Sequence, residues 1–284
     1  MIKVQKVGRV ALGAKDLSSQ TAFYVDHWGL GLTEEADGRV YLRTTAAEHN
    51  AVTLVAADEA GLREIGLEVA TADELERAAE ELAKAGVRIE KGAGPADRPG
   101  AKRNLRLRDP DGNAVELYWG DDKVGEDYGR RNVKPLNLNH IVLRTTDVDR
   151  AYSFYKDTFG FRESDWNGHH MVFLRCNEIH HQLAFTTRDK AGLDHVAFEV
   201  NDFMEIAKGV YYLGERGVAR LWGPGRHGAG NNLFSYFWDP EHNIIEYTTD
   251  IIRIKDESKW TPRVWPGRDT VDLWKQGPPR VMKE

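Results

Sequence analysis

The chain is poor in several things, and each absence excludes something. Its 284 residues hold one cysteine, Cys176, so there is no internal disulfide and no cysteine-rich zinc site. No run approaches the roughly 20 apolar residues needed to span a bilayer, so no membrane partner is expected. The opening "MIKVQKVGRVALGAKDL" lacks a long apolar core and a small-residue cleavage pattern, so no secretion signal is expected there. Positive charge is not in excess: 39 Lys and Arg against 45 Asp and Glu give a formal net charge of −6. That balance argues against a phosphate-binding surface, and nucleic acid is not an expected partner. A soluble cytoplasmic protein is the expectation. Histidine is scarce only locally: of ten, just His27 and His49 precede residue 140. Histidine chemistry, if there is any, belongs to the second half.

What the chain does have is repetition. Its length already suggests two domains, and two near copies lie at an almost constant offset. "VALGAKDLSSQTAFYVDHWGLGL" (10–32) overlies "IVLRTTDVDRAYSFYKDTFGFRE" (141–163) at a shift of 131. The same shift places "AGLREIGLEV" (60–69) on "AGLDHVAFEV" (191–200), and "RDPDGNAVELY" (108–118) overlies "WDPEHNIIEYT" (238–248) at 130. A shared offset over more than 100 residues establishes a duplication.

Each copy reads strand, helix, strands, helix, strands. "HIVLRTT" alternates, and the next segment carries Val148, Tyr152, Tyr155 and Phe159 at helical spacing between a candidate N-cap, Asp147, and a candidate C-cap, Gly160. "DFMEIAKGVYYLGERG" and "ADELERAAEELAKAG" predict second helices stopped by Gly217 and Gly86. Asp-Pro turns at 109–113 and 239–243 join strands, and His242 takes the turn position held by Gly112. The expected fold is α+β: a domain over 1–119, a linker over 120–136, a second domain over 137–250 and a tail over 251–284.

A duplication is its own control. Residues common to both copies serve the fold, and polar residues that differ on the same strands are candidates for chemistry. His140 stands opposite Arg9, His195 opposite Glu64, and Glu246 opposite Glu116. Strand alternation puts His140 on a face with Leu138 and Val142, His195 with Leu193 and Ala197, and Glu246 with Ile244 and Thr248. A carboxylate buried there needs a cation or hydrogen bonds. Two histidines and one carboxylate with open positions suit non-heme Fe(II), and Mn(II) suits the same set.

At these residues the sequence resembles the type I extradiol ring-cleavage (catechol 2,3-) dioxygenases of the vicinal oxygen chelate superfamily. The similarity is strongest over "GPGRHGAGNNLFSYFWDPEHNIIEYTTD" (223–250), and extends through "NHIVLRTTDVDRAYSFYKDTFGF" and "FLRCNEIHHQLAFT". It implies two tandem domains, each of two βαβββ modules forming a curved mixed sheet around a pocket, the first silent and the second holding metal. It also implies His140, His195 and Glu246 as metal ligands and His181 as the acid–base histidine. His227 becomes a histidine beyond the ligands that helps bind substrate, and Tyr236 a donor to a substrate oxygen. His180, Phe173, Trp222 and Trp238 are the expected substrate neighbours. Oligomers of identical chains are common in such a family.

The implied reaction adds both atoms of O2 to a catechol and cuts the ring beside the hydroxyls, giving a muconic semialdehyde-type product. Relatives acting on carboxylated catechols place an arginine where this chain has Trp222. That favours an alkyl-, aryl- or halogen-substituted ring. Two other readings stand beside it: a glyoxalase- or epimerase-like metal-dependent isomerase or lyase, and a metal-free small-molecule-binding protein. The tail, with three of its tryptophans in "SKWTPRVWPGRDTVDLWKQGPPRV", could cover the pocket mouth or pack against a subunit.

Overall fold

A computed structural model describes residues 2–125, 127–129, 131–267 and 271–275. The first half runs β1 (Val4–Ala14), α1 (Leu17–Ala22), β2 (Gly31–Ala36), β3 (Arg39–Arg43) and β4 (Val52–Ala56). It repeats the plan with β5 (Gly61–Val69), α2 (Ala72–Lys84), β6 (Ile89–Pro95), β7 (Arg103–Arg108) and β8 (Ala114–Trp119). The second half opens with β9 (Asn137–Thr145), α3 (Val148–Phe159), β10 (Arg162–Asn167), β11 (Met171–Arg175) and β12 (Leu183–Thr187). It continues with β13 (Gly192–Glu199), α4 (Phe203–Gly214), β14 (Arg220–Arg226), β15 (Leu233–Trp238) and β16 (Ile244–Thr249). The tail adds β17 (Arg263–Trp265).

Four strand–helix–strands modules thus form two mixed sheets. Their orders are β2-β3-β4-β1-β5-β8-β7-β6 and β14-β15-β16-β13-β9-β12-β11-β10-β17. In each sheet the leading strands of the two modules, β1 with β5 and β9 with β13, pair antiparallel at the centre. The site is built on that central pair. Helix ends fall where the sequence puts them: the Asp147 side chain accepts from the Arg150 amide, and Gly160 closes α3 in the left-handed region at φ 68. His242 adopts φ 62 in its turn, as Gly112 adopts φ 84.

The halves meet across a buried seam with matched contacts. Tyr24 donates to Asp239 at 3.0 Å, and Tyr155 donates to Asp109 at 3.1 Å. Trp28 stacks on Tyr247 with ring centroids 3.7 Å apart. Between the halves, Asp121 pairs with Arg9 of β1, the Val124 amide donates to the Ala47 carbonyl, Val133 is buried, and the Leu136 amide donates to the Glu199 carbonyl of β13. In the tail, β17 pairs parallel with β10 and becomes the outermost strand, while residues 268–270 and 276–284 lie outside the described residues. Among the described residues no helix is long and apolar enough to cross a membrane.

Candidate metal centre

Two irregularities in the central pair decide where the histidines point. Between β9 and β13, His140 pairs with Ala197 and Leu138 with Phe198, so Asn139 is an extra residue. Likewise Val142 pairs with His195 and Leu143 with Leu193, which leaves Asp194 as an extra residue. Side chains opposite one another share a face, so these bulges turn His140, Val142, His195 and Ala197 to one side. They correct the expectation drawn from strict alternation: Leu138 and Leu193 face the main core instead. Ala197 pairs in turn with Glu246, and Glu246 with Tyr236, which brings both to the histidine face.

The bulged residues do a second job. Asn139 Oδ1 lies 2.8 Å from His140 Nδ1, and Asp194 Oδ1 lies 2.8 Å from His195 Nδ1. A histidine whose Nδ1–H is held by an oxygen presents Nε2 as a free ligand atom. Both Nε2 atoms stand 3.3 Å from Glu246 Oε2. Ligand atoms of these three residues lie within 4.8 Å of one another, and all three side chains are buried. His195 Nε2 and Glu246 Oε2 are buried without a hydrogen-bond partner among the described residues. Unpartnered buried donors and acceptors converging on one point fit a cation there. The electrostatics agree. Burial would raise Glu246, yet His140 and His195 hold it well below the usual carboxylate range. Burial would lower His195, but Asp194 and Glu246 outweigh it and raise it to about 9, so the pocket favours a positive charge, which a bound cation would supply in place of that proton.

Around the triad lie the other expected residues. The His181 ring is 4.4 Å from that of His140 and 4.9 Å from Phe173, which forms a small apolar cluster with Val142, Ala184 and Ala229. Burial among histidines holds His181 well below the ordinary imidazole value. His227 Nδ1–H donates to the Val271 carbonyl of the tail, so its Nε2 accepts from the Tyr236 hydroxyl at 3.0 Å. Trp222 stacks on Tyr236 with centroids 5.6 Å apart. Trp238 shares the Tyr236 face one step toward the turn, where its ring meets His242. His180 departs from expectation. Its Nε2 lies 3.1 Å from Asp165 and its Nδ1 lies 2.9 Å from His181 Nδ1, which leaves no polar atom of it for a substrate.

Asn139, Asp194 and Asp165 are the residues that sequence reasoning missed. An Asx immediately before each ligand histidine, in "LNH" and "LDH", was the available signal for the first two.

In the first half the same bulges occur, at Gly8 and Arg63, so they belong to the fold. There the place of a cation is taken by guanidinium groups. Arg106 Nε donates to Glu64 at 2.6 Å, Arg98 pairs with Glu116, and Arg9 with Asp121.

The glyoxalase/bleomycin resistance protein/dioxygenase superfamily model matches residues 6–117 and 137–247. Metapyrocatechase 2 of Cupriavidus necator is 30% identical over 198 residues, a match spanning 62% of each chain and so less than two thirds of that relative. A metapyrocatechase of Pseudomonas sp. (strain CF600) is 28% identical over 263 residues, covering 86% of this chain and 85% of the relative. Among solved structures, the Mn(II)-bound glyoxalase from Novosphingobium aromaticivorans superposes with a TM-score of 0.93 at 30% identity, over 100% of this chain and 95% of that one.

Proposed function

The chain belongs to the glyoxalase/bleomycin resistance protein/dioxygenase superfamily, and from that premise we propose that it is a metal-dependent extradiol dioxygenase of aromatic catabolism. It cleaves a catechol beside the vicinal hydroxyls, breaking one ring carbon–carbon bond and placing both atoms of O2 in a muconic semialdehyde-type product. The observation that carries this reading is the convergence of His140, His195 and Glu246 on one point, with His181, His227 and Tyr236 around it. The metapyrocatechases to which it is similar support the same reaction class.

His140, His195 and Glu246 would hold a divalent ion between them. When bound, a redox-active divalent ion, for which we take Fe(II), supplies the meeting point and electron path that O2 needs to react with an aromatic ring. The protein supplies the rest. His181 takes the proton of a catechol hydroxyl and returns it later in the reaction. Tyr236, expected to donate to a substrate oxygen, instead gives its hydroxyl proton to His227 Nε2, which turns its oxygen lone pairs to accept from a substrate hydroxyl. Phe173 and Trp222 give the ring apolar walls. Trp222 puts an apolar ring beside Tyr236, which suits a substrate with an alkyl, aryl or halogen substituent.

The likeness to a Mn(II)-bound glyoxalase favours a second reading, a metal-dependent isomerase or lyase. One experiment separates the two. The protein, reconstituted with Fe(II) or Mn(II) under nitrogen, is given a panel of substituted catechols in air-saturated buffer. Stoichiometric O2 uptake with a yellow product supports ring cleavage. Turnover of a hemithioacetal without O2 uptake would replace it.

A further inference from the structure

A buried chain of hydrogen bonds runs from the tail to His181. Asp165, buried on β10, accepts from the Arg263 amide at 2.8 Å through Oδ1 and from Trp265 Nε1–H at 2.8 Å through Oδ2. The same Oδ2 lies 3.1 Å from His180 Nε2, and His180 Nδ1 lies 2.9 Å from His181 Nδ1. Trp260, also of the tail, sets its ring edge against His180 at 5.3 Å between centroids.

With His180 neutral, as its burial favours, these contacts leave one consistent set of proton positions. An indole N–H and a backbone N–H only donate, so the carboxylate is committed to accepting. His180 Nε2 therefore carries the hydrogen it gives to Asp165. A neutral imidazole has one N–H, so His180 Nδ1 is a lone pair. Between two Nδ1 atoms at hydrogen-bond distance only one hydrogen fits, and it must sit on His181. His181 is then left with a bare Nε2, the form a base requires.

The first half provides a control. His49 occupies the position of His180, Glu34 that of Asp165, and Asn50 that of His181, each at the offset of 131. His49 Nε2 still lies 3.2 Å from Glu34, so the fold keeps an acid–imidazole pair at this corner. That pair is open: the Glu34 side chain is 42% exposed, against 1% for Asp165. Only the second copy adds a histidine to receive the pair and a tail strand to seal it.

We propose that Asp165 and His180 are positioning residues that fix the tautomer of His181, with the C-terminal strand β17 completing the device. The inference rests on His181 acting as the base under the proposed function. Two measurements keep its failure separate from a failure of that function. The first is the imidazole ¹⁵N spectrum of the metal-free full-length chain, which needs no turnover. It should show His181 protonated at Nδ1 in the wild type and a mixture of tautomers in Asp165→Ala.

The second compares His180→Phe with His180→Gln in the metal-loaded enzyme. Glutamine can donate to Asp165 and accept from His181, and phenylalanine can do neither. H180F should lower kcat by about 100-fold or more. Its metal content should be unchanged and its KM within about twofold of the wild type, with H180Q recovering most of the loss. Equal losses in H180F and H180Q would reduce His180 to packing, and a wild-type His181 protonated at Nε2 would overturn the proposal outright. If Asp165→Ala fails to fold, the two His180 variants and the wild-type spectrum still decide. If no catechol turns over, the spectra decide alone.

Discussion

Asp194 stands directly before His195 on a bulged strand, and its Oδ1 lies 2.8 Å from His195 Nδ1. The contact holds the ring so that Nε2 faces Glu246, and it raises the basicity of the ligand. Asp194→Ala should leave all three ligands in the chain yet weaken metal binding by about 10–100-fold. Competition against a chromophoric chelator measures this. Wild-type affinity in the variant would mean that packing alone sets the ring.

Glu246 is the carboxylate of the candidate ligand set, and it is buried with Oε2 lacking any hydrogen bond among the described residues. Glu246→Gln keeps the shape and the Asn232 contact to Oε1 but removes the charge. A ligand that binds only the folded state raises the unfolding temperature as its concentration rises. The wild type should therefore show a metal-dependent shift in Tm that a chelator abolishes. E246Q should show almost none, with unchanged circular dichroism. A full shift in E246Q would remove Glu246 from the centre.

Trp222 stacks on Tyr236 and approaches His227, with ring centroids 5.8 Å apart. Under the proposed function it would stand beside the ring substituent. Trp222→Arg should bring a cation there and shift preference toward carboxylated rings. The ratio of kcat/KM for 3,4-dihydroxyphenylacetate to that for a methylcatechol should rise by about 10-fold or more, as one charge-assisted contact allows. The ratio is the test, since loss of the stacked indole will lower both rates. An unchanged ratio would place the substituent elsewhere.

Much of this was legible in the residues, for physical reasons. A duplication at a constant offset gave the module plan, because helix period, caps and Asp-Pro turns are local signals. His140 and His195 stood out because the other copy has Arg9 and Glu64 there, and Glu246 because a carboxylate buried beside them needs a cation or hydrogen bonds. The bulges at Asn139 and Asp194 were not legible. A bulge is a property of two strands in register, and strict alternation put Leu138 and Leu193 on the wrong face. Asp165 was hidden too, fifteen residues before His180 and about one hundred before the tail donors that lock it. Contacts at such separation leave no periodic trace. Nor did sequence reading show that Arg106 and Arg98 fill the empty half-site.

That half-site has its own pH signature. Glu64, opposite His195 in the duplication, is raised to about 7 by burial and by the neighbouring Glu116, in spite of the Arg106 guanidinium. An unfolded glutamate titrates at about 4.3. The folded chain thus holds this proton more tightly than the unfolded one. The corresponding stability is fully present below the unfolded value and is lost as pH rises toward 7. Glu64→Gln cannot ionise, so its stability relative to wild type should increase between pH 5 and pH 8. Urea unfolding at the two pH values reads that difference directly, and the constant cost of altering the Arg106 contact cancels between them. If the wild type instead gains on E64Q as pH rises, Arg106 outweighs burial and Glu116, and the arginines compensate this half-site fully for the cation it lacks.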